Sequence, residues 1–302
     1  MKPGAFRFRS HDGVHIAAWR WSAVRPRAVV QIAHGMGEHA LRYGRLAALL
    51  NAAGYAVFAN DHRGHGATSP DASSLGDFGP GGFDAVVGDL GMLAAVAREE
   101  HPGLPLILLG HSMGSFAAQY FALDRSQDID GLVLSGSSAL DMLAASLADP
   151  AAVKLDNAFN APFEPARTPF DWLSRDHTEV DAYIADPLCG FTVRPEGLAT
   201  IFANAARTVT PTGVRSTLPI LLLAGEDDPL NGKLALLNIL AQRYRDAGVR
   251  DVETQFYPGG RHEMFNETNK TEVAANLIDW LNRVTAQRRT VVEQASVEEI
   301  RR

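Results

Sequence analysis

A single cysteine, Cys189, stands among 302 residues. That excludes an intrachain disulfide and any thiolate zinc cluster, and it suits a reducing compartment. No run of about 18 uncharged apolar residues occurs, so no membrane-spanning helix is expected. Basic side chains are outnumbered: 28 Lys and Arg face 35 Asp and Glu, for a formal net charge of −7. No local basic stripe overrides that balance, so nucleic acid is not expected as a partner. Repeats and low-complexity tracts are also missing. The start, Met1 to Trp21, alternates apolar and polar residues around Arg7, Arg9, His11, Asp12 and Arg20, and so lacks the apolar core of a secretory signal. A cytoplasmic protein is expected. What is plentiful is ordinary globular material: 46% hydrophobic and 21% charged residues rule out a mostly disordered chain.

Five short apolar runs end in glycine or a polar turn: Ala28 to Ala33, Tyr55 to Ala59, Leu104 to Leu109, Ile129 to Leu134 and Leu218 to Ala224. Continuous hydrophobicity at this length predicts strands buried on both faces, as in a parallel sheet. Helical spacing falls between or after them, at Leu41 to Ala53, Phe83 to Glu100, Met113 to Leu123 and Leu234 to Arg245. Strand alternating with helix predicts an α/β fold with right-handed crossovers. Phe6 to Arg9 and Val14 to Trp21, joined by His11-Asp12-Gly13, read as an antiparallel hairpin at the sheet edge. Residues 138–215 break the rhythm and gather prolines and aromatics, which predicts an inserted cap. The core is then 1–137 with 216–286, and 287–302 is a charged tail.

Gly110-His111-Ser112-Met113-Gly114 follows a buried run and precedes a small-residue helix. This is G-x-S-x-G in the strand, sharp turn, helix setting that the motif requires. The turn lifts the serine hydroxyl clear of the sheet, and the glycines make room for it. A serine hydroxyl is a poor nucleophile at neutral pH, so it needs a general base and a carboxylate to orient that base. Only His177 and His262 lie beyond Ser112. His262 follows the last strand-like run, Val252 to Tyr257, and is the candidate; His177 falls inside the cap. The acid belongs just past Leu218 to Ala224, where Gly225-Glu226-Asp227-Asp228-Pro229 offers three carboxylates. Asp228 is chosen, with Asp227 as its rival; the other aspartate is expected to cap the following helix. Backbone N–H donors for an oxyanion are expected at Met113, directly after the serine, and at Met36 in the turn His34-Gly35-Met36-Gly37.

With these motifs in view, the sequence resembles the monoacylglycerol lipase and lysophospholipase branch of the α/β-hydrolases, the serine aminopeptidase-like group. The match runs through His34 to His39 with Arg42-Tyr43, Asp61-His62-Arg63-Gly64-His65-Gly66, the elbow, Leu173-Ser174-Arg175 with Thr178 to Asp181, Gly225 to Asp228, and Tyr257 to His262. The resemblance implies an α/β-hydrolase fold: a mostly parallel central sheet, helices on both faces and an inserted, mainly helical cap. It implies Ser112 as nucleophile, Asp228 as acid, His262 as base, Met36 and Met113 as oxyanion donors, and Glu38, Arg42 and Tyr183 bordering the polar end of the pocket; the alternatives are an ion pair of Glu38 and Arg42 that holds the loop and a packed place in the cap for Tyr183. One departure is that Ser115 follows Gly114 where family elbows often carry a second glycine. No metal and no cofactor is expected. The histidines at 34, 39, 62 and 65 lack the carboxylate and histidine helix pair of a zinc site, and an activated serine needs none.

The cap segment Leu140 to Val153, with Phe159, Phe163, Phe170 and Trp172, is apolar enough to suit an acyl chain. The substrate expected is a lipid-like ester, monoacylglycerol or lysophospholipid, cleaved through an acyl-enzyme. The same triad would serve a peptidase, a thioesterase or a C–C hydrolase, and a hydrolase-fold binding protein without turnover is the reading from another class. Transient contact of the cap with a lipid surface is a further expectation. Oligomeric state is not legible.

Overall fold

The computed structural model describes residues 2–147 and 159–300. Residues 148–153 of the apolar cap stretch and the last two residues of the tail lie outside them. Eight strands form one sheet: β1 Gly4–Arg9, β2 His15–Trp21, β3 Ala28–Ala33, β4 Tyr55–Asn60, β5 Leu106–His111, β6 Gly131–Ser135, β7 Ile220–Gly225 and β8 Val252–Tyr257. Their order is β1-β2-β4-β3-β5-β6-β7-β8. The first two pairings are antiparallel, which makes the predicted edge hairpin, and every pairing from β4 onward is parallel. This is the α/β-hydrolase fold.

The central strands are apolar at every position because both of their faces are covered. Successive side chains alternate between two cores: Ile220, Leu222 and Ala224 of β7 join one, Leu221 and Leu223 the other. The first core is closed by helices α2 Gly82–Glu100, α3 Met113–Arg125 and α7 Ala235–Asp246. The second lies under α1 Gly44–Ala52 and α8 Lys270–Ile300, through Leu46, Leu50, Leu277 and Leu281. Each such fully buried side chain is worth about 1.5–3 kcal/mol relative to exposure. The helix expected at Leu41 to Ala53 is split: a 3-10 turn, Ala40–Tyr43, precedes α1.

Between β6 and β7 the chain leaves the sheet and forms α4 Leu140–Leu147, α5 His177–Ala185 and α6 Pro195–Phe202 with short 3-10 turns. These pieces pack near the C-terminal ends of the parallel strands, where the loops after β3, β5, β7 and β8 also emerge. In open α/β sheets that end collects the functional side chains.

Candidate active site

Ser112 sits between the last residue of β5 and the first of α3 with φ 51° and ψ −122°. A non-glycine residue there carries roughly 1–3 kcal/mol of backbone strain. The turn is held by the Ser112 N–H donating to the Ser135 carbonyl at 2.9 Å, and by the Ser115 and Phe116 N–H groups donating to the Ser112 carbonyl. The flanking glycines are sterically required. A Cβ on Gly110 would lie 2.6 Å from Ser115 Cα, and one on Gly114 would run into the carbonyls of Ala33 and His34. Ser115 fits where a second glycine is common, because its hydroxyl donates to the Ser112 carbonyl at 2.6 Å and accepts from the Ser137 hydroxyl at 2.8 Å.

Asp228 and His262 meet. The ring Nδ1 lies 2.9 Å from Asp228 Oδ2, and both side chains are almost wholly buried. Asp228 Oδ1 accepts from the Leu230 N–H at 2.9 Å, so this one residue both binds the imidazole and caps the turn Pro229–Asn231. That corrects the expectation that the capping role would fall to the other aspartate. Burial alone would pull the His262 pKa down, but the adjoining Asp228 carboxylate, through charge and hydrogen bond, carries it above the ordinary 6.5. His262 lies against the ring of His111, centroids 4.8 Å apart, directly beside the serine turn. Gly136 makes room for both: a Cβ there would be 2.9 Å from Cε1 of each ring. The Ser112 hydroxyl is not hydrogen-bonded to the imidazole among the described residues, a common state of unliganded sites that tightens on binding. His111 is buried, holds Ser135 Oγ at 3.3 Å and has its pKa pushed down to about 3 by desolvation, so it stays neutral. His177, the other histidine beyond the serine, is an exposed first residue of α5.

The Met36 and Met113 N–H groups have no acceptor among the described residues, whereas the amides on either side of Met36 do. Gly35 N–H donates to Glu38 Oε1 at 2.6 Å and Gly37 N–H to His65 Nε2 at 3.2 Å. Met113 opens α3, whose first-turn amides point out of the helix at its positive end.

Glu38, Arg42 and Tyr183, anticipated at the polar end of the pocket, spend their polar atoms inside the protein. Glu38 also accepts from Tyr43 Oη at 2.8 Å and from Arg42 at 2.7 Å. Arg42 forms two parallel bonds, 2.7 and 2.8 Å, with Glu263 and lies over the Tyr183 ring. Tyr183 Oη donates to the Gly37 carbonyl at 2.9 Å. Burial would raise the Glu263 carboxyl, but Arg42 holds it down at about 2; Glu38, more deeply enclosed, is pushed up. Glu263, next to His262, is the residue that sequence reasoning missed; its position directly after the candidate base was the available signal.

His34, His62 and His65 are struts of the same loop. The His62 N–H donates to His34 Nε2 at 2.9 Å, His65 Nδ1 is 2.9 Å from the Arg63 carbonyl, and all three rings are buried with depressed pKa values. One group, His39, Asp186 and Cys189, brings three metal-capable atoms within 4.8 Å of one another. His39 Nε2 and Asp186 are already bonded at 2.9 Å, and burial pushes the Cys189 thiol up, away from the thiolate that a metal takes.

A cavity of about 500 Å³ opens between the cap and the acid loop, lined by Leu143, Leu147, Phe159 and Phe163 on the cap side and by Asp227 and Asp228 below. The cap is tied to the base loop by backbone bonds from the Glu263 and His262 N–H groups to the Leu173 and Trp172 carbonyls, 2.8 and 3.4 Å. No helix among the described residues is long and apolar enough to cross a membrane.

A strained serine, a buried histidine and carboxylate pair and two unengaged amides at the C-terminal edge of a parallel sheet define an α/β-hydrolase. Residues 24–269 match the family model described as "Serine aminopeptidase, S33". The chain is 33% identical to a monoacylglycerol lipase of Mycolicibacterium smegmatis, over 91% of this chain and 95% of that one. It is 30% identical to a human monoglyceride lipase, over 94% and 91%. Among solved structures, a thermostable carboxyl esterase from Bacillus coagulans in complex with glycerol superimposes with a TM-score of 0.80 at 31% identity, covering 94% of this chain and 99% of that one. The chain therefore belongs to the serine aminopeptidase S33 family of hydrolases, in its monoacylglycerol lipase-like branch of carboxylic ester hydrolases.

Proposed function

We propose that this enzyme hydrolyses the esters of lipid-like alcohols, monoacylglycerol or lysophospholipid, through an acyl-enzyme on Ser112. The observation that carries the reading is the buried Asp228 and His262 pair, 2.9 Å apart, beside a serine held at φ 51°. Ser112 Oγ attacks the ester carbonyl and passes its proton to His262 Nε2. Asp228 fixes the tautomer by holding Nδ1, and the Met36 and Met113 N–H groups receive the oxyanion. The bond between the acyl carbon and the alcohol oxygen breaks, and the alcohol leaves with the proton from His262. Water then enters by the same route, gives its proton to His262 and frees the acid. Glu38, Arg42 and Tyr183 act on the substrate through the loop they hold, since their network fixes the turn that carries the Met36 amide.

An ester with an aliphatic acyl chain is favoured over a peptide because, among the described residues, the cap side of the cavity is lined by Leu143, Leu147, Phe159 and Phe163, while the charged groups of the lining, Asp227, Asp228 and Lys233, stand on the acid-loop side. The glycerol bound by the Bacillus coagulans esterase and the names of the relatives support a glycerol ester. Residues 138–215 serve as the cap. The one, unpaired cysteine supports a reducing, cytoplasmic setting, and the exposed Ile184 and Leu188 of the cap support brief contact with a lipid surface.

The test is a panel of monoacylglycerols, lysophospholipids, p-nitrophenyl esters and aminoacyl arylamides, with mass spectrometry of the enzyme during turnover. Acylation on Ser112, labelling by a fluorophosphonate, and a loss of about 10⁶ in kcat for Ser112→Ala are the expected results. Turnover of the arylamides alone, or undiminished activity in Ser112→Ala, would remove the reading.

A further inference from the structure

His262 has a neighbour that the triad does not require. Trp172, on the cap turn Asp171–Leu173, packs against the imidazole with ring centroids 4.9 Å apart and a 37° tilt. Phe159 packs against the same indole, centroids 5.1 Å apart, and also lines the cavity. An unbroken run of three rings thus leads from the cavity wall to the base. Only the indole and the serine-side His111 ring lie in ring contact with His262 among the described residues.

We propose that Trp172 is a positioning residue that stabilises the imidazolium formed on His262 during turnover, and that an acyl chain filling the cavity tightens this contact through Phe159. The inference rests on His262 being the base. The indole face is a good partner for a cation, and at a pH above the acid limb the charge on the ring exists only in the intermediate states of the reaction. An interaction that strengthens only then raises kcat rather than lowering KM. The contact is desolvated, because His262 is 2% exposed. The titratable groups facing the ring are Asp228 from the loop after β7, Glu263 on its own loop, Glu38 from the loop after β3 and His111 from β5; Trp172 adds a polarisable face without adding a charge. Substrates with a longer chain are therefore selected in part by rate: an acetyl ester leaves Phe159 without a partner in the cavity, and a decanoyl ester supplies one.

The experiment compares wild type with Trp172→Leu, Trp172→Phe and Phe159→Ala on p-nitrophenyl acetate and p-nitrophenyl decanoate, recording kcat, KM and the acid limb of the pH profile. Leucine keeps the burial and removes the ring face, so Trp172→Leu should lower kcat for the decanoate roughly 3- to 30-fold and move the acid limb down by about half a unit to one unit. Trp172→Phe should recover much of both. Phe159→Ala should reduce kcat for the decanoate more than for the acetate, so that the ratio of the two falls toward one. A loss confined to KM, or an acid limb that stays in place in Trp172→Leu, would make Trp172 mere lining and overturn the inference. Tryptophan fluorescence separates this outcome from a failure of the catalytic reading. The difference between wild type and Trp172→Phe should show an indole quenched as His262 gains its proton and unaltered by pH in His262→Gln. If neither ester is turned over, that difference still decides whether Trp172 senses the charge on the ring, and a flat trace refutes the proposal. Circular dichroism confirms that each variant is folded, and Trp172→Phe serves in place of any variant that is not.

Discussion

Arg42 lies between two buried carboxylates, and Arg42→Met keeps much of its stem while deleting the charge that both need. Its side chain is 11% exposed, against 3% for Glu38 and 7% for Glu263, so solvent does little to screen the set. Removing one partner of such a buried group costs about 3–5 kcal/mol, because the remaining charges are stranded. With an unfolding entropy of about 2.1 cal/mol/K per residue, a chain of this length loses roughly 5–8 °C in Tm. The pH dependence gives a sharper test than the size. In wild type the Glu263 carboxyl is held at about 2, below the ordinary 4.5. Its contribution is therefore complete above pH 4.5 and fades as pH falls toward 2, while Glu38, pushed up by burial, works the other way. Without Arg42 both carboxylates sit above their unfolded values, so the native state binds protons more tightly and stability rises as pH falls. Urea titrations of wild type and Arg42→Met at pH 8 and pH 5 should show the gap narrowing at pH 5. Adding Glu263→Gln, which neutralises one stranded charge, should recover about half of the loss. A cost under about 1 kcal/mol, or a gap that widens on acidification, would refute the argument that this network is an electrostatic clamp on the loop.

Two further outcomes follow from the same geometry. Because Asp228 raises the His262 pKa above 6.5 and the base must be neutral to act, kcat/KM should fall as pH drops through a midpoint above 6.5. Asp228→Asn should lower kcat by roughly 10⁴ and shift that limb to lower pH; a wild-type midpoint at or below 6 would contradict the assignment. Gly114→Ala drives a Cβ into two backbone carbonyls that cannot yield and should cost about 1–3 kcal/mol by calorimetry. Gly88→Ala, inside α2 with nothing within 4 Å of the added carbon, should instead stabilise by up to about 1 kcal/mol. Equal melting temperatures for the two variants would show that the elbow tolerates bulk.

The parallel strands were legible because a strand covered on both faces has to be apolar at every position. Val252 to Tyr257, more exposed than the others, reads as the last strand-like run, and β8 has the same ends. The elbow could be read because its chemistry is local: strand, turn and helix are adjacent in sequence, and the glycines on either side of Ser112 record a clash that any side chain would cause. The same logic reached Asp228 and His262 by chain order, although their bond spans 34 residues. What the linear order concealed is pairing across long separations. Arg42 binds Glu263 across 221 residues, and no periodicity or neighbouring residue encodes that choice. Nothing around Glu38 says that its carboxylate turns back onto the Gly35 amide rather than out to a ligand. The placing of Glu38, Arg42 and Tyr183 at the border of the pocket leaves open whether they read a ligand or hold the loop by an ion pair and cap packing, because a charged residue near a pocket can satisfy itself on protein or on ligand, and burial decides between them. In this chain the charges are 3–11% exposed and mutually saturated, so their free energy goes into fixing the loop that presents the Met36 amide. A site of this kind divides into a part written in motifs, which does the chemistry, and a part written only in three dimensions, which holds the first part still.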